Sequence, residues 1–151
     1  EVYRMVAERS QEFEKEELFY LLMEQLLSEY AVFEQKKVQV PDTERLNAVC
    51  SYMKEHYSEN VSLEQLCKIA GVSRYSLIRY FTKYKKITPY QYLESIRVNR
   101  AKLYLEQGTE PAEAAAMTGF SDQSHFTNFF KRLFGLTPAQ YQRIFTDKKG
   151  Y

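Results

Sequence analysis

The sequence predicts an all-α protein: two helix-turn-helix subdomains joined by a long central helix and preceded by an amphipathic helical segment. Three observations carry that expectation. Glycine and proline are scarce, five and four among 151 residues, and most stand where a helix should start or stop. Apolar residues recur with a helical period along the chain. A block of residues also occurs twice, so one structural unit is used twice.

The chain falls into residues 1–40, a helical segment ending in a linker, and residues 41–151. In the first part, residues 10–36 read as one or two amphipathic helices with Phe13, Leu18, Leu22, Leu26 and Tyr30 along one face and Glu17 as a polar interruption. Two readings of that face stand side by side, packing on its own chain or a surface for a partner. Residues 36–43, with Pro41, read as the linker, and the alternation from Lys37 to Val40 is too short for a strand.

In the second part a helix starts at Thr43 and carries Leu46, Val49, Cys50, Met53 and Tyr57 at helical spacing. Ser62 with Gln65 three residues on is a capping box, and Ser73 marks the next start. Thr88 with Pro89 at the first helical position opens a helix that Gly108 should end. The first helix-turn-helix then covers about 62–84, the linker helix 89–107 and the second helix-turn-helix about 110–134.

The repeat pairs residues 79–92, RYFTKYKKITPYQY, with residues 128–141, NFFKRLFGLTPAQY, at an offset of 49. Five of these 14 positions are identical, where average composition would give about one. Upstream the offset becomes 48, pairing Gly71 with Gly119 and Ser73 with Ser121. A helix-turn-helix needs a small residue where its helices cross, a glycine four residues on for a left-handed turn, and an apolar residue to seat the second helix. Cys67, Gly71 and Leu77 meet these demands in the first copy; Ala115, Gly119 and Phe126 meet them in the second. At 1.5 Å per residue the helix from Pro89 to Gln107 is about 28 Å long, comparable with the roughly 34 Å between successive major grooves on one face of B-DNA.

Charge points the same way. The formal net charge is +1, yet residues 1–43 hold five bases against ten acids, a net of −5, which leaves +6 for the remainder. An acidic segment joined to a basic one raises the expectation of a nucleic-acid surface in the second part. The two cysteines, Cys50 and Cys67, have neither the number for a disulfide framework nor the spacing of a zinc knuckle or redox pair. They read as small buried hydrophobes in a reducing, cytoplasmic setting. The longest apolar run, Leu18 to Met23, is six residues, against about 20 for a membrane helix. No membrane partner, signal peptide, metal or cofactor is expected. The chain begins at Glu1 without a Met, from which a longer parent protein is expected.

The second unit, Gly119, Phe120, Ser121, Asp122, Gln123, Ser124, His125 and Phe126, continuing through Phe130, Lys131, Gly135, Leu136, Thr137, Pro138 and Tyr141, resembles the second helix-turn-helix of the AraC family of bacterial transcription regulators. Gly71, Val72, Ser73, Arg74, Tyr75, Leu77, Ile78, Arg79 and Phe81 resemble the first. The resemblance covers roughly residues 44–145. It implies a seven-helix domain that reads two neighbouring major-groove segments of double-stranded DNA, activates transcription through RNA polymerase, and has no catalytic activity. It further implies a homodimer contact through residues 10–36 and a small-molecule effector, if one is used, on a preceding domain. Lys86 departs from the family pattern by replacing a glycine, so strain is expected in that turn. Cys67 replaces the usual alanine, Ala112 a larger aliphatic residue, and Asn128 stands where many members carry a base.

On the first recognition helix Leu77, Phe81, Tyr80 and Tyr84 take the inward stripe, leaving Arg74, Tyr75, Ile78 and Arg79 as base readers. Arg79 is the candidate for guanine, whose O6 and N7 a guanidinium bonds together. On the second, Phe126, Phe130 and Leu133 face inward and Gln123, Ser124, Thr127 and Asn128 face out, the amides suited to adenine. Ser73, Thr82, Lys83, Asp122, Lys131 and Arg132 are phosphate candidates, Ser73 and Asp122 through the backbone amides at the helix starts. Each has a plainer rival: outward Arg and Lys as solvated charges, Tyr75 as a scattered surface aromatic. Phe126, Phe129 and Phe130 read as core rather than a ligand pocket. His56 and His125 lack partners at metal spacing, and Ser121, Asp122 and His125 are too close in sequence to form a hydrolytic triad by proximity alone. The rival function is a helical protein-interaction module whose helix-turn-helix units no longer bind DNA.

Overall fold

The computed structural model describes residues 12–23, 25, 26 and 43–146, most of them helical and the rest turns and short loops, with no strand among them. Tyr30, the linker at 36–43 up to residue 42, and the alternation at 37–40 lie outside the described residues. Residues 12–23 with 25 and 26 form α1. It is followed by α2 (Thr43–Glu55), α3 (Leu63–Ala70), α4 (Arg74–Tyr80), α5 (Pro89–Gln107), α6 (Pro111–Met117), α7 (Gln123–Phe134) and α8 (Pro138–Thr146).

Local chemistry sets most boundaries. Ser62 Oγ accepts from Gln65 N at 3.2 Å while Gln65 Oε1 accepts from Ser62 N at 2.8 Å, so two otherwise unpaired donors at the start of α3 are satisfied reciprocally. The repeated Thr-Pro-x-Gln is the same device used twice. Gln91 Oε1 accepts from Thr88 N at 3.1 Å, and Gln140 Oε1 from Thr137 N at 2.9 Å, each followed by proline at the first helical position. Gly71 closes α3 at φ 65°, with its N–H on Cys67 O at 2.8 Å.

The α4 helix continues as a wider π-helical turn, Phe81–Lys85, and stops at Lys86 with φ 61°. Lys86 is the one described residue other than glycine with positive φ; its counterpart in the second unit is Gly135, at φ 76°. The turn that the family pattern gives to glycine therefore keeps its left-handed geometry, with a Cβ attached.

The core has two compartments that share α5. Leu46, Val49, Met53, Leu63, Leu66, Leu77, Phe81, Tyr90 and Leu93 fill the first; Val98, Ala101, Leu105, Ala114, Phe120, Phe126 and Phe130 fill the second. Between them, Arg97 is buried at 4% exposure. Its Nε donates to Tyr57 O at 2.7 Å and its Nη2 to Glu59 O at 2.9 Å, tying α5 to the loop after α2. Gly119, in the turn between α6 and α7, rests on that loop: a Cβ there would stand 2.9 Å from Tyr57 O and 3.0 Å from Ser58 O. Tyr141 Oη donates to Glu106 at 2.6 Å and fastens α8 to the far end of α5.

Several expected faces are corrected. On α1 the buried positions are Phe13 and Glu17, both at 3%, with Tyr20 and Leu21 partly buried; Leu18, Leu22 and Leu26 are about half exposed. The buried spacing of 13, 17, 20 and 21 is an ordinary helical stripe, and Glu17 fits it because Tyr90 N–H donates to its Oε1 at 2.8 Å. Tyr84 and Leu133 are exposed, and Phe129 takes the inward place beside Phe126 and Phe130. Cys67 is buried as expected, Cys50 only partly.

Two substitutions test this account by chemical denaturation. Lys86→Gly should stabilise the chain by about 1 kcal/mol, through relief of the Cβ contact in a left-handed conformation. Gly119→Ala should destabilise it by roughly 2–3 kcal/mol, since positive φ and a backbone clash combine there. Equal, small effects at both positions would contradict the packing described.

Candidate nucleic-acid interface

Each helix-turn-helix presents the start of its second helix outward. In the first, Ser73 caps α4, its Oγ accepting from Ser76 N at 3.2 Å. Behind the cap, Ser76, Leu77 and Ile78 are buried, while Arg74, Tyr75 and Arg79 are half-buried and Lys83 is exposed. Arg79 Nη1 donates to Tyr75 Oη at 3.0 Å, one helical turn away, so the two groups form one ordered polar ledge. Arg74 is held differently. Its guanidinium pairs with Glu16 of α1 through Nη1, and its Nη2 lies 3.9 Å from Glu64. A hydrogen bond with Tyr20 first, and the Glu16 carboxylate second, favour its charged form.

Ile78 is corrected: with α1 in place it is buried at 2% exposure in the first core cluster and is not presented to a base. It shares a helix face with Arg74, one turn earlier. Thr82 is corrected as a phosphate donor, because its single hydroxyl proton is directed at Ile78 O (3.0 Å) and Arg79 O (3.1 Å).

In the second unit Gln123, Ser124 and Asn128 are exposed and Thr127 is half-buried on α7, with Lys131 and Arg132 exposed one turn further on. The Arg132 guanidinium stands 4.7 Å from the Phe129 ring centroid. Asp122 caps α7 by accepting from Ser124 N at 3.0 Å and His125 N at 3.1 Å. The amides assigned to phosphate at this start are thus taken by a carboxylate, which also repels a phosphate. That part of the phosphate set is corrected too.

Sequence reasoning missed the polar groups that orient these helices. His125 Nε2 lies 2.8 Å from Glu94 Oε1 of α5, which is buried at 3% exposure, so a contact that becomes an ion pair on protonation of His125 ties the start of α7 to the central helix. The hydrogen bond with Glu94 is the largest cause raising the His125 pKa above its usual value, against the opposing effect of burial. A signal was present: Tyr90, Glu94, Arg97, Ala101 and Leu105 form one helical stripe of α5, with two charged residues where apolar ones are expected. Among the described residues, no three His, Cys, Asp or Glu side chains gather as a metal site, and no helix is long and apolar enough to cross a membrane.

Two helix-turn-helix units on a shared helix, each exposing polar residues from its second helix, define a paired helix-turn-helix domain. A family model described as a helix-turn-helix domain matches residues 66–144, more than half of the chain. The chain belongs to the AraC family of helix-turn-helix regulators. It is 50% identical over 126 residues to the HTH-type transcriptional regulator YbfI of Bacillus subtilis, covering 83% of this chain and 46% of that protein. It is 31% identical over 113 residues to AdaA of the same organism, a bifunctional transcriptional activator and DNA repair enzyme, covering 74% of this chain and 54% of that protein. Among solved structures, the DNA-binding domain of the global transcriptional factor AdpA, in complex with a target DNA, matches with a TM-score of 0.63 at 28% identity. The match covers 70% of this chain and 96% of that one. The chain spans about half the length of the curated relatives it matches.

The Glu94–His125 tie has a pH signature. Because the folded-state pKa of His125 is raised, its contribution is complete below the ordinary histidine value of about 6.5 and is lost as pH rises through the raised value. NMR titration of the His125 ring should give a pKa above that of a free histidine, and Glu94→Gln should bring it back down. An unchanged titration in the variant would contradict the pairing.

Proposed function

We propose that this chain is the DNA-binding part of a transcription regulator that reads double-stranded DNA with α4 and α7 in adjacent major-groove segments. The observation that carries this reading is the pair of outward polar sets on two recognition helices that share one central helix. Arg74, Tyr75 and Arg79 form the base-reading set of α4; Gln123, Ser124, Thr127 and Asn128 form that of α7. Lys83, Lys131 and Arg132, with the backbone at Ser73, hold phosphates and so position the domain without specifying sequence. The DNA-bound AdpA relative supports the same use of the fold.

The regulator is cytoplasmic and acts as an activator that contacts RNA polymerase. A small-molecule effector, where one is used, binds elsewhere in the parent protein. The homodimer reading of residues 10–36 is carried by the outer row of α1, where Leu18, Leu22 and Leu26 are exposed. No catalytic step belongs to this part. Burial pushes the Cys67 thiol up to about 11, which keeps it protonated and unreactive at neutral pH. The repair activity in AdaA's name stays with that protein.

Selection of bound duplexes from a random library should enrich one bipartite site. Arg79→Ala should erase preference at one or two positions of that site, by about 1–3 kcal/mol of discrimination. Lys131→Ala should weaken specific and random duplexes alike and reduce the salt slope by about 0.9. Failure to enrich any site, together with salt-independent binding, would favour a protein-interaction module instead.

A further inference from the structure

The acidic α1 helix packs on the first unit and reaches Arg74, the first residue of α4, which the proposed function turns towards DNA. Three contacts fasten it. Phe13 is buried with its ring 5.4 Å from that of Tyr90. Glu17 accepts the Tyr90 N–H at 2.8 Å, near the start of α5, and so satisfies one of the backbone donors left unpaired at a helix start. Glu16 and Tyr20 hold the Arg74 guanidinium. Ile78, on the same face of α4 as Arg74, is buried in the cluster that contains Phe13 and against which Tyr20 and Leu21 pack. The seam is not tightly filled, because an open cleft of about 1030 Å³ remains between α1 and α3, bordered by Glu12, Phe19, Glu64 and Lys68.

We propose that α1 is a detachable acidic strap: docked, it takes Arg74 and covers part of the α4 reading face, and its release permits the first recognition helix to enter the major groove. The proposal rests on the reading of α4 as a DNA-reading helix. Its chemistry is competition for one guanidinium, since Glu16 and a phosphate or guanine acceptor cannot share the same donors in the same geometry. A chain in which the strap is docked most of the time binds DNA more weakly in proportion to the undocked fraction. Whatever pulls on the segment before the domain then sets DNA affinity through α1.

Glu17 supplies a reading that distinguishes a strap from simple charge repulsion. Burial is the largest cause raising its pKa, to about 7, against hydrogen bonds from Thr88 and Tyr90, and the nearby Glu94 and Glu14 raise it further. Glu94 is in turn paired with His125. Docking is therefore strongest with Glu17 protonated, below the ordinary carboxylate value of about 4.5, and weakens as pH rises through about 7. Above that pH, a neutral glutamine at position 17 mimics the protonated form and strengthens docking.

The test measures binding of the 151-residue chain to a fluorescent duplex pool of random sequence, and to the selected site, at pH 8. Glu16→Gln and Phe13→Ala should each raise affinity by roughly three- to tenfold, and Glu17→Gln should lower it by a similar factor. Repulsion alone would make Glu16→Gln and Glu17→Gln equal, because each removes one negative charge; equal gains overturn the strap. Amide hydrogen exchange, which also verifies that each variant is folded, should speed up across residues 13–21 when DNA is added. Unchanged or greater protection there, with DNA bound, overturns the strap while leaving the DNA reading intact. Absence of duplex binding by every variant overturns both.

Discussion

One buried guanidinium fixes how the two halves of the molecule stand. Arg97 leaves the middle of α5, between the two core compartments, and donates to the carbonyls of Tyr57 and Glu59. Burial lowers its pKa, and the neighbouring Tyr90 and Glu94 oppose that shift. A guanidinium in such a place stays charged because its donors are matched by fixed acceptors. Without it, two loop carbonyls lose their partner, at about 1–3 kcal/mol for each that stays buried. The same loop supports Gly119, whose missing side chain lets the second unit approach the first. The spacing of α4 and α7 is thus set by α5 and by a polar junction that permits little sliding.

Parts of this were legible in the sequence because they are local. The capping pair Ser62 with Gln65, the helix start at Thr88 with Pro89, and the left-handed turns at Gly71 and Gly108 depend on residues within one turn of each other. Lys86 was legible through the repeat, since it stands where the second copy has Gly135. Other features depend on a partner far away in the chain and left no decisive local mark. From Leu18 to Met23 all residues are apolar, so periodicity alone allows more than one inward face. The choice is made by Phe13 meeting Tyr90 and by a carboxylate meeting the Tyr90 amide. Ile78 follows Leu77 directly, and its burial shows that α4 packs over a wider arc than a single stripe.

The charge asymmetry acquires a structural meaning. An overall charge of +1 conceals an acidic first part and a basic second part, and the two meet at Arg74. The acids of α1 divide their work: Glu16 holds a cation of the reading helix, and Glu17 holds the start of the central helix. On the other recognition helix, His125 and Glu94 orient the start of α7 from the same central helix. Both reading helices are therefore positioned by ionisable groups rather than by apolar packing alone. Such groups respond to pH and to competing charge in a way that a purely apolar junction does not.

The central claim is that α4 and α7 read DNA as one rigid unit set by α5 and Arg97. Inserting base pairs between the two halves of the selected site tests it most directly. A rigid unit predicts that an insertion of about 5 base pairs and one of about 10, a full turn, both reduce affinity to the level of a single half-site. Recovery of affinity with the full-turn insertion would contradict the account, because it would mean that the two units separate and follow the groove independently.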